Sequence, residues 1–125
     1  MTKLLNPYNF QANLMDLKDL SRAMQNFVES KGWYQETSPR PQTERNIAIS
    51  LSLEAAEVLE HYQWSEKTNH PQELSSELAD VALYLLQLAN LAGIDLEEAI
   101  LSKLSINYTR QWDVDLNAQD IIKTK

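Results

Sequence analysis

Two short acidic runs, Glu54-Ala-Ala-Glu57 and Glu77-Leu-Ala-Asp80, carry the residue types best suited to holding a divalent cation. On a helix, a step of three residues turns the side chain by about 300°, so each pair lies on one face, one turn apart. Ser50, Glu54, Glu57 and His61 form a row beside the apolar row Ile47, Leu51, Ala55, Val58 and Tyr62. Glu77 and Asp80 likewise stand next to Leu74, Leu78 and Val81. All four acids therefore border a helix–helix interface, where they repel one another and resist ionisation. Neither pair has a Lys or Arg three or four residues away, and Arg45 is too far along the helix to neutralise Glu54. A cation removes the conflict, and an all-oxygen ligand set favours Mg²⁺, with Mn²⁺ as the alternative, over zinc. A single such pair is usually a solvated surface, but two pairs on consecutive helices beside the core stripe point to metal. A di-iron bundle would need Glu-x-x-His pairs, and neither His61 nor His70 has an acid three residues before it.

A second set of residues suits an anion. Lys103, Asn107 and Arg110 follow one another at steps of four and three on one helical face. By themselves they can be a solvated basic face near a helix C-terminus. Beside a cation cluster they become a phosphate clamp, with a point charge, a neutral donor and a planar fork. Trp33, Trp64 and Tyr84 complete the candidates. Tryptophan in a small core is commonly packing, but aromatic faces next to a phosphate site can stack on a base.

The elements that must position these residues follow from apolar spacing and end signals. Leu17, Leu20, Met24, Phe27 and Val28 form the stripe of a first helix from about Asp16 to Lys31. Asp16 with Asp19 suits its N-terminal cap and Gly32 the residue after its end. A loop from Trp33 to Gln42 holds Pro39 and Pro41. Thr43 can cap a second helix reaching His61 or Tyr62, and the polar stretch Trp64 to His70 is a connection. Pro71 suits the first position of a third helix, which runs to about Ala92 and stops at Gly93. Asp95 and Glu98 form a capping-box pattern for a fourth helix from Leu96 to about Trp112.

The third helix sets the architecture. From Leu78 to Ala92 only Asp80, Tyr84, Gln87 and Asn90 carry polar groups, the pattern of a helix buried on all sides. So short a chain can hardly enclose it alone. The expected fold is all-α, a four-helix bundle subunit completed by oligomerisation. Residues 1–15 read as an N-terminal extension, 16–112 as the helical domain and 113–125 as a polar tail.

Composition narrows the function. With 125 residues, 43% of them hydrophobic, the chain can bury one core. It has no cysteine, which excludes a disulfide framework, a thiolate zinc site and a cysteine nucleophile. A net charge of −7 argues against a nucleic-acid polymer, whose binding needs a basic surface. The opening MTKLLNPYNFQANLM lacks the apolar run of a signal peptide. The stretch from Leu78 to Gly93 contains Asp80 and is too short to cross a bilayer. A cytoplasmic protein with no membrane partner is the expectation.

In combination these residues resemble the all-α nucleoside triphosphate pyrophosphohydrolases, or MazG-like family, and within it the dCTP pyrophosphatase branch. The shared pattern is ExxE, a spacer, then ExxD, followed by the Lys and Asn four apart in LSKLSINYTR. The stretches VLEHYQW and ELADVALYLLQLA are similar to that branch, and the likeness covers about Leu17 to Trp112. The ordered set with its flanking tryptophans is far more specific than ExxE alone.

The resemblance implies hydrolysis of a (deoxy)nucleoside triphosphate, dCTP or a related pyrimidine, to the monophosphate and pyrophosphate, in the service of nucleotide-pool cleaning. It implies a metal-activated water cutting between the α- and β-phosphates, and a homodimer or homotetramer. Glu54, Glu57, Glu77 and Asp80 would then hold Mg²⁺, with Glu54 orienting or deprotonating the water. Lys103, Asn107 and Arg110 would neutralise the leaving pyrophosphate, and Trp33, Trp64 and Tyr84 match the base pocket. There are two departures. Met24 stands where dCTP-selective relatives carry a histidine, and the loop WYQETSPRPQTERN differs in length, so the base stays open. Two other readings remain: a phosphoribosyl-ATP pyrophosphatase or dUTPase-like enzyme with similar helical acids, and a non-catalytic helical dimer acting as regulator or scaffold. Substrate-free Mg²⁺ binding separates the last from the enzymes.

Overall fold

Local end signals produce the helices where the spacing predicts them. The computed structural model describes residues 15–110 and contains four α-helices: α1 (Leu17–Ser30), α2 (Glu44–Glu60), α3 (Pro71–Leu91) and α4 (Leu96–Thr109), with no strand among the described residues. The rest of the N-terminal extension, the polar tail and the expected helix end at Trp112 lie outside them. The Asp16 carboxylate accepts from Asp19 N–H at 2.8 Å while Asp16 N–H donates to the Asp19 carboxylate at 3.2 Å. This reciprocal pair satisfies two N–H groups that the helix leaves unpaired. The Asp19 backbone bond, the largest of several influences, holds the Asp16 carboxyl below its ordinary value. At α2 the Thr43 hydroxyl accepts from Asn46 N–H at 3.1 Å. Pro71 opens α3, where its missing N–H costs nothing. The capping box expected at α4 is half made: Asp95 accepts from Glu98 N–H at 3.2 Å, and the return bond is absent.

Two glycines end helices and redirect the chain. Gly32 and Gly93 have φ of 69° and 71°, the left-handed region that strains other residues. After α1, Gly32 N–H bonds Glu29 C=O and Trp33 N–H bonds Val28 C=O at 3.3 Å. That closure folds Trp33 back onto the core cluster of Met24, Val28 and Leu86. After α3, Gly93 N–H bonds Asn90 C=O and Ile94 N–H bonds Ala89 C=O at 2.8 Å. The chain then bends by 102° into α4.

That bend changes the expected bundle. α3 packs along α2 and against α1, while α4 crosses away and touches α1. Lys18 of α1 ties the start of α4 through Asp95 (3.5 Å) and Glu97 (3.7 Å). The apolar circumference of α3 is not enclosed by the described residues. Leu86, Gln87 and Ala89 are buried, whereas Leu78 and Leu83 are 50% and 44% exposed. Ile100, Leu101 and Leu104 on α4 are exposed as well. No single helix among the described residues is long and apolar enough to cross a membrane.

Candidate active site

A cleft of about 780 Å³ opens between α1, the loop of residues 33–42, the first half of α2 and α3. Its volume falls in the range of small-ligand sites. Met24, Val28, Trp33, Ile47 and Leu83 make most of its wall. Trp33 is held edge-on against Phe27 with ring centroids 5.7 Å apart, and the Arg40 guanidinium sits 5.9 Å from the Trp33 ring centroid. Such a cation–aromatic contact rigidifies the indole at modest energetic gain.

One polar side chain sits deep in this wall. Gln87 is 3% exposed and its amide nitrogen donates to Gln42 Oε1 at 2.6 Å and to Tyr34 Oη at 3.4 Å. Tyr34 passes its own proton to Gln25 Oε1 at 3.4 Å, and burial pushes its phenol up, keeping it a donor. Asn90 also donates to Gln25 Oε1, and Ser21 donates to Asn90.

The acid cluster adjoins the cleft through Asp80, which lines it together with Tyr84 one turn later on α3. α2 and α3 bring both acid pairs together. Burial, the largest cause, then the charge and the side-chain hydrogen bond of Glu57, and then the charges of Asp80 and Glu77 raise the Glu54 carboxyl from its ordinary value of 4.5. The buried oxygen Glu54 Oε2 has no hydrogen-bond partner. Glu77 is engaged by His61 Nε2, whose side chain is 7% exposed and whose Nδ1 meets Thr68 Oγ1 at 2.6 Å. Thr68 Oγ1 already accepts from His70 N–H at 3.0 Å. Its proton is thus free for Nδ1, which leaves Nε2 as the donor toward Glu77. As placed, no three acid or histidine groups among the described residues converge into a finished coordination shell. The donor set nonetheless fits a hard cation: four carboxyl groups crowded together, with one oxygen, Glu54 Oε2, buried and unpartnered.

The sequence-derived candidates divide. Trp33, Tyr84 and Asp80 meet at the cleft. Trp64, in the turn after α2, is 90% exposed and does not line it. Lys103 and Asn107 ride on α4, but Arg110 is the extended residue after its end, so the three do not share one helical face as expected; none lines the cleft, although Asn107 Oδ1 is buried without a partner. Gln87, Gln42 and Tyr34 were not among the candidates, and His61 was considered only as a ligand. A glutamine alone in an apolar run was the one available signal for Gln87. The partners of His61 and Gln87 lie far along the chain and leave no local pattern.

An acid pair on each of two packed helices, opening onto an apolar cleft, defines a class of helical proteins. The MazG-like family model matches residues 49–120, more than half of the chain, and the chain belongs to that family. The dCTP pyrophosphatase 1 of Bos taurus is 30% identical over 93% of this chain and 70% of its own length. The chain spans 58% to 70% of the length of the mammalian dCTP pyrophosphatases it matches. The dATP/dGTP diphosphohydrolase of Cyanophage S-2L is 53% identical over a shorter stretch, 29% of this chain and 34% of that protein. Among solved structures, a pyrophosphatase from Archaeoglobus fulgidus DSM 4304 superposes with a TM-score of 0.58 at 31% identity, covering 77% of this chain and 92% of that one.

Proposed function

We propose that the protein is a Mg²⁺-dependent nucleoside triphosphate pyrophosphohydrolase, with Mn²⁺ able to substitute. Its substrate in this reading is dCTP or a related pyrimidine triphosphate, cut to the monophosphate and pyrophosphate. The observation that carries the reading is the junction at Asp80 and Tyr84. In this reading a base in the apolar cleft directs its phosphates toward the acids past Asp80, the acid that lines the cleft.

Glu54, Glu57, Glu77 and Asp80 would hold the cation. Bound there, Mg²⁺ would neutralise the phosphates, polarise the α-phosphorus and acidify the attacking water. Trp33 offers the base a stacking face. Glu54, whose carboxyl is raised toward neutrality, is suited to orient the water and take its proton. His61 keeps Glu77 turned in one direction. Lys103, Asn107, Arg110 and Trp64 act on substrate in this proposal only across a homodimer or homotetramer. The exposed apolar surfaces of α3 and α4 support such an assembly.

A pyrophosphate-release assay over the pyrimidine and purine triphosphates, with and without Mg²⁺, tests the reading. Metal-dependent release with a preference for a pyrimidine is expected. The purine arm matters because the phage relative is named for dATP and dGTP. No release from any triphosphate, together with no Mg²⁺ binding by calorimetry, would leave a helical scaffold instead.

A further inference from the structure

We propose that Gln87 reads the nucleobase, its side-chain carbonyl selecting bases that carry an exocyclic amino group over bases that present a keto oxygen there. The inference rests on the nucleotide reading above and adds the group that discriminates.

Hydrogen-bond partners fix which end of each amide faces where. Gln42 Nε2 donates to the Arg40 backbone carbonyl at 2.7 Å. A carbonyl only accepts, so the Gln42 nitrogen belongs on that side and its Oε1 is left facing Gln87. Gln87 Nε2 donates to that oxygen at 2.6 Å. Its second N–H goes to Tyr34 Oη, whose proton is spent on Gln25 Oε1. Gln25 is anchored in turn, its nitrogen directed to Glu29 Oε1. Turning Gln87 over would set its oxygen against Gln42 Oε1 and break both bonds. The two anchors therefore fix the amide from opposite ends.

Both amide protons are used, so what Gln87 has left for a ligand is Oε1. No described residue donates to it. The side chain is 3% exposed and lines a cleft that is otherwise mostly apolar. Unlike Glu54 Oε2 and Asn107 Oδ1, this oxygen is not sealed from solvent, so a donor entering the cleft can reach it. The 4-amino group of cytosine or the 6-amino group of adenine, carried by a ring stacked on Trp33, supplies that donor. The keto oxygens of thymine and uracil set acceptor against acceptor.

Ligand series and variant together test this without turnover. Binding of dCMP, dUMP, dTMP and the monophosphate of 2-pyrimidinone deoxyribonucleoside, which lacks only the 4-amino group, is measured by calorimetry or NMR titration in Mg²⁺. The wild-type chain is expected to bind dCMP at least about tenfold tighter than dUMP and than the 2-pyrimidinone nucleotide. In Gln87→Met, apolar and close in volume, that gap should shrink to less than about twofold. Equal wild-type affinities overturn the proposal, as does binding of none of the monophosphates, or a gap that survives in folded Gln87→Met. If Gln87→Met does not fold, the wild-type series decides alone. Absence of pyrophosphate release with the dCMP preference intact would remove the hydrolase reading and leave the base reading standing.

Discussion

The apolar cleft and the acid cluster meet at Asp80 yet differ in how far their polar groups are satisfied. At the cleft, Gln42 and Gln87, with Tyr34 and Gln25 behind them, hold one another in fixed orientations. In the cluster, Glu54 Oε2 is buried without a partner and three neighbouring carboxylates push its proton affinity up. The base end is organised by the chain itself, because amides can be both donors and acceptors. The phosphate end is all acceptors, and only something positive can complete it. In the proposed reading, recognition is built into the fold, while the chemical step waits for a cation.

That contrast breaks most visibly at the acids. Chelation should abolish pyrophosphate release, and Glu57→Gln or Asp80→Asn should each lower kcat by at least about a hundredfold. Full activity in EDTA would mean the cluster is only a surface. Next in size is the cleft: Trp33→Ala should weaken substrate binding by about 1–3 kcal/mol, seen as a raised KM. An unchanged KM for every triphosphate would make Trp33 packing alone.

His61 sits between the two regimes, a satisfied group holding an acid. His61→Leu should lower Mn²⁺ affinity by about tenfold, read by paramagnetic resonance without substrate. His61→Gln, which keeps a donor for Glu77, should restore most of it. Equal loss in both variants would show that the ring only fills space.

The smallest effect is on stability and concerns Glu54. Its carboxyl is raised above 4.5 in the folded chain, so folding favours the protonated form. The stability this contributes is present below pH 4.5 and is lost as pH rises through the raised value. In chelator at neutral pH, Glu54→Gln should therefore melt a few degrees higher than wild type, with the advantage fading below pH 4.5. Added Mg²⁺ should reverse the order. A lower melting temperature in chelator would mean that Glu54 is stabilised by contacts its charge requires.

What could be read from the chain divides along the same line. Asp16, Thr43, Pro71 and the glycines at 32 and 93 act over one helical turn, so the four helices were legible within a residue or two. The end of α4 was not. Arg110 adopts an extended conformation where Trp112 had been expected to close the helix. The acid pairs were legible because their spacing is itself helical. Gln87 was not, because its partners lie 45 and 53 residues away. The absence of an acid three residues before His61 argued only against a di-iron site, and the acid that His61 meets is 16 residues further on. The bend after Gly93 follows from a single left-handed residue, and no periodicity reports the direction a chain takes after one.

The exposure of Trp64 has an optical consequence. Trp33 is sheltered against the core and Trp64 is 90% exposed, so the two indoles report on different surroundings. Emission from a water-bathed indole lies to the red of that from a sheltered one, and dissolved quenchers reach it first. If copies of the chain cover the turn after α2, dilution should shift the spectrum to the red and steepen iodide quenching. With the third tryptophan, Trp112, already replaced by Phe, a further Trp64→Phe change should abolish both responses. The protein would carry its own label for self-association, readable at concentrations where scattering is blind.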